Sequence, residues 1–326
     1  MKAMLIDENK NLVWSEVEKP SPKSGEVLIK IYAAALNRAD LLQRKGTYPS
    51  PKGWPQWMGL EVSGIIEEIG EGTETALKVG DKVCALLGGG GYAQYVCAPA
   101  GMVMPNPKNL SFEEAASLPE AFATSYLNLY FEGHLQPGQT AFIPAGASGL
   151  ASAAIPMAKA LGSRVITSVL SDEITESIKD LGADLIINST KEDVAEVLKA
   201  EEENGRPVNG AMDCLCGQSL GPSLQYMAEG GYWIILSTLA GQETTVLLRP
   251  VLTKGLHLVG SMLRKRSSEE KSHLLAELVE KVWPKIESGE IKPSIYKVLP
   301  IEQAAAAHAI LERGENVGKV VLTVCK

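Results

Sequence analysis

Hydrophobic and polar positions change their rhythm near residue 120. Before it, short runs alternate or are rich in β-branched residues: MKAMLI, LVWSEV, EVLIKIYAAAL, EVSGIIEEIG, DKVCALL and AQYVCAP. Turn-forming clusters separate them at Pro20-Ser21-Pro22, 46–55, Gly70-Glu71-Gly72 and 88–91. A period of two with closely recurring turns predicts a compact antiparallel barrel. From 120 to 261, apolar runs (TAFIPA, RVITSV, DLIINS, GAMDCL, GYWIIL, LHLVGS) alternate with stretches of helical periodicity at 149–161, 172–181 and 192–202. That alternation predicts a parallel sheet with helices on both faces. Gly162 and Gly182 fall where two of these helices must stop. Pro156 predicts a kink or an irregular turn in the first helix, because its ring removes an N–H and crowds the Ser152 carbonyl. The remainder predicts an amphipathic helix over 268–288, a strand near Tyr296-Lys297-Val298-Leu299, a helix from Ile301 and a strand at GKVVLTV. This set is too small for a core of its own. The expectation is an α/β protein of two domains, 1–119 completed by 262–326, and 120–261, with a cleft between them for cofactor and substrate.

Composition narrows the partners. With 45% apolar and 21% charged residues in 326, the chain has ordinary globular make-up. A net charge of −8 argues against a nucleic-acid surface, and the one basic cluster, Arg264-Lys265-Arg266, is too short for a polyanion stripe. It reads as a solvated loop, with a phosphate contact as the lesser alternative. Five scattered cysteines, an odd number in apolar stretches, fit reduced thiols in a cytosolic protein. Cys214-x-Cys216 lacks both the spacing and the second pair of a zinc site. The N-terminus begins as a strand instead of a signal segment, and no apolar run approaches the ~20 residues that span a bilayer. The expected location is the cytoplasm, with neither membrane nor nucleic acid as partner.

The candidate chemistry lies in AFIPAGASGLASAAIPMAKALG, residues 141–162, an apolar strand, a small-residue turn and an Ala-rich helix start. Small residues let a backbone approach phosphate oxygens, and free N–H groups at a helix start supply positive potential. The turn reads G-A-S-G-L-A and not G-x-G-x-x-G, so an ordinary tight βα connection stays open as the other reading. Thr167 and Ser168 end the next strand, where an NAD enzyme would place an acid for the ribose. The following Leu170-Ser171-Asp172-Glu173 holds no lysine, and its two carboxylates would repel a 2′-phosphate.

The strings GEVLIKIYAAALNRADLLQRKGTYP, MGLEVSG, LKVGDKV, GGGGYAQYV and SLPEAFATSY, in this order, resemble the zinc-independent, zeta-crystallin-like quinone oxidoreductases of the medium-chain dehydrogenase/reductase superfamily. ALNRADLLQR, the GLE-x-SG box and the GKVVL ending are most similar to the branch induced in the tumour-suppressor response. The resemblance implies a GroES-like β-barrel catalytic domain, a Rossmann doubly wound parallel sheet domain, NADPH as cofactor, and homodimers that extend one sheet into the next. It implies an amide contact from Asn37 to the nicotinamide ribose or the substrate, a satisfied turn Asn being the alternative, and a phenol from Tyr48 to the developing oxyanion. Leu42 stands where some relatives carry a second tyrosine. Thr124 would face the nicotinamide, and Gly146, Ser148, Gly149 and Leu150 would form the pyrophosphate turn. Thr167, Ser168 and Ser171 would lie along the adenine ribose, although the family's tyrosine there is Ser189. Backbone near Ser237 to Leu239 and Met262 to Arg264 would hold the carboxamide. Asn316 and Lys319 would add cofactor contacts, a surface lysine being the default reading of the latter.

No metal is expected, since Asn37 and Leu60 occupy the places of a zinc-ligating Cys and His. Without a Lewis acid, hydride acceptors that are already activated, quinones or enones, are favoured. His134, His257, His273 and His308 share no spacing and read as structural. The expected activity is NADPH-dependent quinone reduction; the alternatives are an enoyl or alkenal reductase and a non-catalytic dinucleotide-binding redox sensor.

Overall fold

The structure is a computed structural model that describes residues 1–325. It divides into two compact units, Met1–Ala123 with the chain from Arg266 onward, and Thr124–Lys265.

The first unit opens with an antiparallel ribbon of β1 (Lys2–Ile6) and β2 (Leu12–Glu16), paired Met4 to Trp14. Then come β3 (Glu26–Ala35), α1 (Arg38–Lys45), β4 (Glu61–Ile69), β5 (Lys82–Leu86), β6 (Tyr95–Pro99), β7 (Val103–Pro105), α2 (Phe112–Ala116) and α3 (Pro119–Tyr126). Strand β3 organises this unit. It pairs antiparallel with β4 along its length, with register shifts at two points, and with β6 over its first half. Bulges increase local twist, which lets one sheet curl around its own core. Ile29, Ile31, Val62, Val83, Tyr92 and Val96 fill that core and are all essentially inaccessible. Helix α1 starts at Asn37 and stops at Gly46, whose φ of 87° a side-chain residue would resist.

The second unit holds β8 (Thr140–Ile143), α4 (Ala151–Ala160), β9 (Arg164–Val169), α5 (Asp172–Ile178), β10 (Leu185–Asn188), α6 (Val194–Glu203), β11 (Val208–Asp213), α7 (Leu220–Leu224), β12 (Met227–Ile235), α8 (Leu248–Lys254) and β13 (His257–Gly260). All six strands are parallel in the order β10-β9-β8-β11-β12-β13. The chain runs outward from β8 in one direction and then crosses back to β11. The strand C-termini beside that reversal are where an open α/β sheet takes its ligand. Of the kink or irregular turn expected at Pro156, the irregular turn does not form: α4 continues through Pro156 as helix. Ala151, Ala153, Ala154, Ile155, Met157 and Ala158 around it are buried, and this packing outweighs the single lost backbone bond.

The chain then returns to the first unit with α9 (Ser268–Lys281), α10 (Trp283–Glu287), β14 (Ile295–Pro300), α11 (Ala304–Arg313) and β15 (Lys319–Thr323). The single helix expected over 268–288 is two, because Pro284 cannot donate within a continuous helix and instead occupies the first turn of α10. Strand β15 pairs parallel with β14 and antiparallel with β3, Val321 opposite Ala35.

Candidate functional site

The turn between β8 and α4 is tight because β8 is wholly buried and its successor must reverse over the sheet edge. Ala145 takes a positive φ of 58°, the Gly146 N–H donates to Ser168 O (2.9 Å), and the Ser148 N–H donates to Ala145 O (2.8 Å). The Ser148 hydroxyl accepts from the Ala151 N–H (3.1 Å). The N–H groups of Ala147, Gly149 and Leu150 donate to no acceptor among the described residues, and all three residues are half-buried. Unclaimed amides at the start of a ten-residue helix make an anion cradle of the kind a pyrophosphate fits. A Cβ on Gly146 would stand 2.6 Å from Thr167 Oγ1 and 2.7 Å from Ile178 Cδ1, so β9 and the far end of α5 press directly on the turn.

Thr167, expected along the cofactor, lies inside the sheet. It is fully buried, and its hydroxyl donates to Ile143 O at 2.6 Å. The β8–β9 register sets Thr167 opposite Ile143, which turns its side chain inward. Its hydroxyl proton is thus engaged within the sheet. Ser168 is buried as well, and Ser171 caps α5 by accepting from the Ile174 N–H (3.2 Å). Of the two carboxylates that follow, Asp172 does not stand as a bare charge. Asp172 accepts from Asn188 Nδ2 at 2.6 Å and is paired with the Lys191 ammonium, and these partners hold its carboxyl below the usual range. Sequence reasoning missed Lys191. Strands β9 and β10 are adjacent with Val169 opposite Asn188, so residues just past both ends lie side by side, a signal available only once strand order is known.

In the first unit, Asn37 sits at the end of β3 and start of α1, half-buried. Its Oδ1 accepts from Lys319 Nζ (2.8 Å) and its Nδ2 donates to Glu61 Oε1 (2.8 Å). Lys319 was read as a surface or cofactor-binding lysine; it is instead 5% exposed, with its ammonium on Leu36 O (2.8 Å), Asn37 Oδ1 and Glu61 Oε1 (2.6 Å). Three donors meet three acceptors, leaving none for a cofactor. The physical reason is the β15–β3 pairing, which lays the first residue of β15 against the last turn of β3. Beside this cluster, the buried Asp40 accepts from the N–H groups of Asn37 (2.8 Å) and Gly59 (3.1 Å) and from the Tyr92 hydroxyl (3.3 Å). Burial outweighs these donors and raises its carboxyl to about 6. Tyr92 OH also contacts His308 Nε2 at 3.4 Å, and desolvation lowers the His308 imidazole to about 4.

The remaining candidates are placed as follows. Tyr48 is half-buried in the loop after α1, and Leu42 is exposed on α1. Thr124 lies half-buried on α3, its carbonyl accepting from Asn128 Nδ2 (2.6 Å). The Ser237 carbonyl accepts from Cys216 Sγ (3.1 Å), and the Leu239 N–H donates to Cys214 O (3.2 Å). Met262 is exposed, and Arg264 is half-buried in the short 3-10 turn Leu263–Lys265. Asn316 Nδ2 donates to Gly318 O (2.7 Å). Among the described residues no three His, Cys, Asp or Glu side chains cluster to hold a metal. An open recess of about 590 Å³ is lined by Tyr226, Leu248 and Lys254, at the N-terminal end of β12 and so at the opposite end of the parallel strands from the cradle.

Comparison with known proteins places these features in context. Residues 23–108 match the alcohol dehydrogenase GroES-like domain and residues 149–280 match the zinc-binding dehydrogenase family. An alcohol dehydrogenase of Geobacillus stearothermophilus is 32% identical, covering 99% of this chain and 100% of its own. A quinone oxidoreductase of Sus scrofa is 30% identical over 94% of this chain and 92% of its own. A solved mycobacterial structure complexed with NADPH is 29% identical, with a TM-score of 0.83, over 99% of this chain and 100% of its own.

Proposed function

Because the chain belongs to the medium-chain dehydrogenase/reductase superfamily, a family of oxidoreductases, we propose that it transfers hydride from NADPH to quinones in a zinc-free site. The observation that carries this reading is the amide cradle of Ala147, Gly149 and Leu150 ahead of α4. NADPH, when bound, supplies the hydride from nicotinamide C4. The cradle amides hold its pyrophosphate against the positive end of the helix. Preference for NADPH over NADH is supported by the last residues of β9, Ser168 and Val169, which carry no acid, and by Lys191, whose ammonium pairs with Asp172 just past that strand end. The solved relative with NADPH lends the same support.

On the substrate side, the Asn37 amide and the Tyr48 phenol donate to the acceptor oxygen as negative charge develops on it. With an amide and a leucine where a metal site needs ligands, hydrogen bonds alone must polarise the acceptor, which favours quinones and activated alkenes. The chain is further proposed to work in the cytoplasm as a homodimer joined through β13. That strand is at the sheet edge with Leu258 50% exposed, and α8 beside it exposes Leu248 and Leu252 at 77% and 83%. Exposed leucines on an edge strand and on the helix preceding it suit an association surface.

Calorimetric titration with NADPH and NADH, followed by NADPH oxidation with a panel of quinones, enones and simple ketones, tests the reading. NADPH should bind the tighter, and quinones should turn over fastest. Tighter NADH binding overturns the cofactor assignment, and ketone turnover ahead of quinones overturns the acceptor class. Tyr48→Phe should lower kcat by roughly tenfold to a hundredfold with cofactor affinity unchanged.

A further inference from the structure

We propose that Lys319 and Glu61 are positioning residues that lock the Asn37 side-chain amide in one orientation and so present one fixed N–H donor to an oxygen of bound substrate, a role that rests on the reductase reading above. Strands β15, β3 and β4 are neighbours in that order. Their antiparallel registers, Val321 opposite Ala35 and Val62 opposite Ala34, bring Lys319, Asn37 and Glu61 to the same end of the three strands.

The two charged side chains are 6% and 0% exposed. A buried ion pair brings little net stability over an apolar pair of the same volume, so its consequence is to be sought in geometry. An ammonium only donates and a carboxylate only accepts. Asn37 Oδ1 must therefore face Lys319, and Asn37 Nδ2 must face Glu61, as both 2.8 Å contacts have it. A flipped amide would set donor against donor and acceptor against acceptor in a buried cluster, exchanging two hydrogen bonds for two repulsions. The anchors are themselves held. Glu61 Oε2 accepts from the Glu120 N–H (2.8 Å), and Lys319 also donates to Leu36 O (2.8 Å). One Asn37 Nδ2–H is thus taken by Glu61, and the other has no acceptor among the described residues on a half-buried side chain. A donor whose direction is set before the ligand arrives needs no reorganisation as charge develops.

The test uses full-length protein with 15N-labelled asparagine, the Asn37 side-chain signals being assigned by their loss in Asn37→Ser. In the wild type, one Nδ2 proton should exchange slowly and the other at the solvent rate; two protons that both exchange at the solvent rate overturn the lock. The double variant Lys319→Met/Glu61→Leu removes both charges and the acceptor of Asn37 Nδ2 together, and Lys319→Met/Glu61→Ala, with a smaller side chain, serves as a second variant. In folded variant protein the slow proton should be lost and kcat with a quinone should fall at least about tenfold, while the NADPH Kd stays within about twofold. A slow Asn37 proton that persists in the variants, or a kcat unchanged after its loss, overturns the proposal. A wild type without turnover on any acceptor sinks the reductase reading instead, and the amide exchange rates then decide the lock by themselves.

Discussion

Asp40 shows how a single buried group ties pH to stability in the first unit. Its carboxyl is raised from 3.8 to about 6 chiefly by burial, against the pull of two backbone N–H groups. The folded protein thus holds this proton more tightly than the unfolded chain does. The contribution is complete below about pH 4 and is lost as pH rises through about 6, a change of roughly 3 kcal/mol. Asp40→Asn does not titrate, so urea unfolding of both proteins across pH 4 to 7.5 isolates it. The stability difference should move against the wild type by about that amount as pH rises, and a difference that stays flat with pH would show that the carboxyl is not perturbed. Lys319 carries the opposite lesson about residues. Charge alone marks it as a surface lysine, and only its neighbours, Leu36 O, Asn37 and Glu61, reveal it as interior. Such partners lie hundreds of positions away, where no local pattern reaches.

Elements divide by pattern in how legible they are. Alternating or wholly apolar runs such as those of β3, β8 and β9 announce themselves even where short, because each strand buries one face or both. The eight-residue α1 and α3 and five-residue α2 do not, since little more than two turns at most carry too little periodicity and their stability comes from caps and packing. Helix α2 is held by a capping box between Ser111 and Glu114, a signal present in the sequence but small beside the surrounding strand pattern. At the β8–α4 turn the element and the site coincide. Gly146→Ala would push a methyl to 2.6 Å from Thr167 Oγ1 and 2.7 Å from Ile178 Cδ1. It should cost roughly 1–3 kcal/mol of unfolding free energy and weaken dinucleotide binding together with it. Thr167→Ala in the same chain should restore part of the loss, and strictly additive effects of the two substitutions would mean that the turn does not press on β9.

At the scale of the whole molecule, the exposed edge of the second unit's sheet bears on assembly. Sedimentation should give the mass of two chains for the wild type and of one for Leu258→Asp/Leu252→Asp, because a carboxylate on each apolar contact must otherwise be desolvated. A wild type that sediments as one chain at micromolar concentration would remove the proposed dimer. The two grammars of the chain, antiparallel before residue 120 and alternating strand and helix after it, were determined by the sequence itself, because side-chain period is a local consequence of backbone geometry. So were the small-residue turn and the absence of an acid at Thr167 and Ser168. Strand order, and with it everything that depends on neighbours, was decided only by the tertiary structure. It turned Thr167 inward, set Lys191 against Asp172, and buried Lys319 between Asn37 and Glu61. The reason is that charge pairing and burial are properties of contacts between distant segments, whereas periodicity is a property of a segment alone.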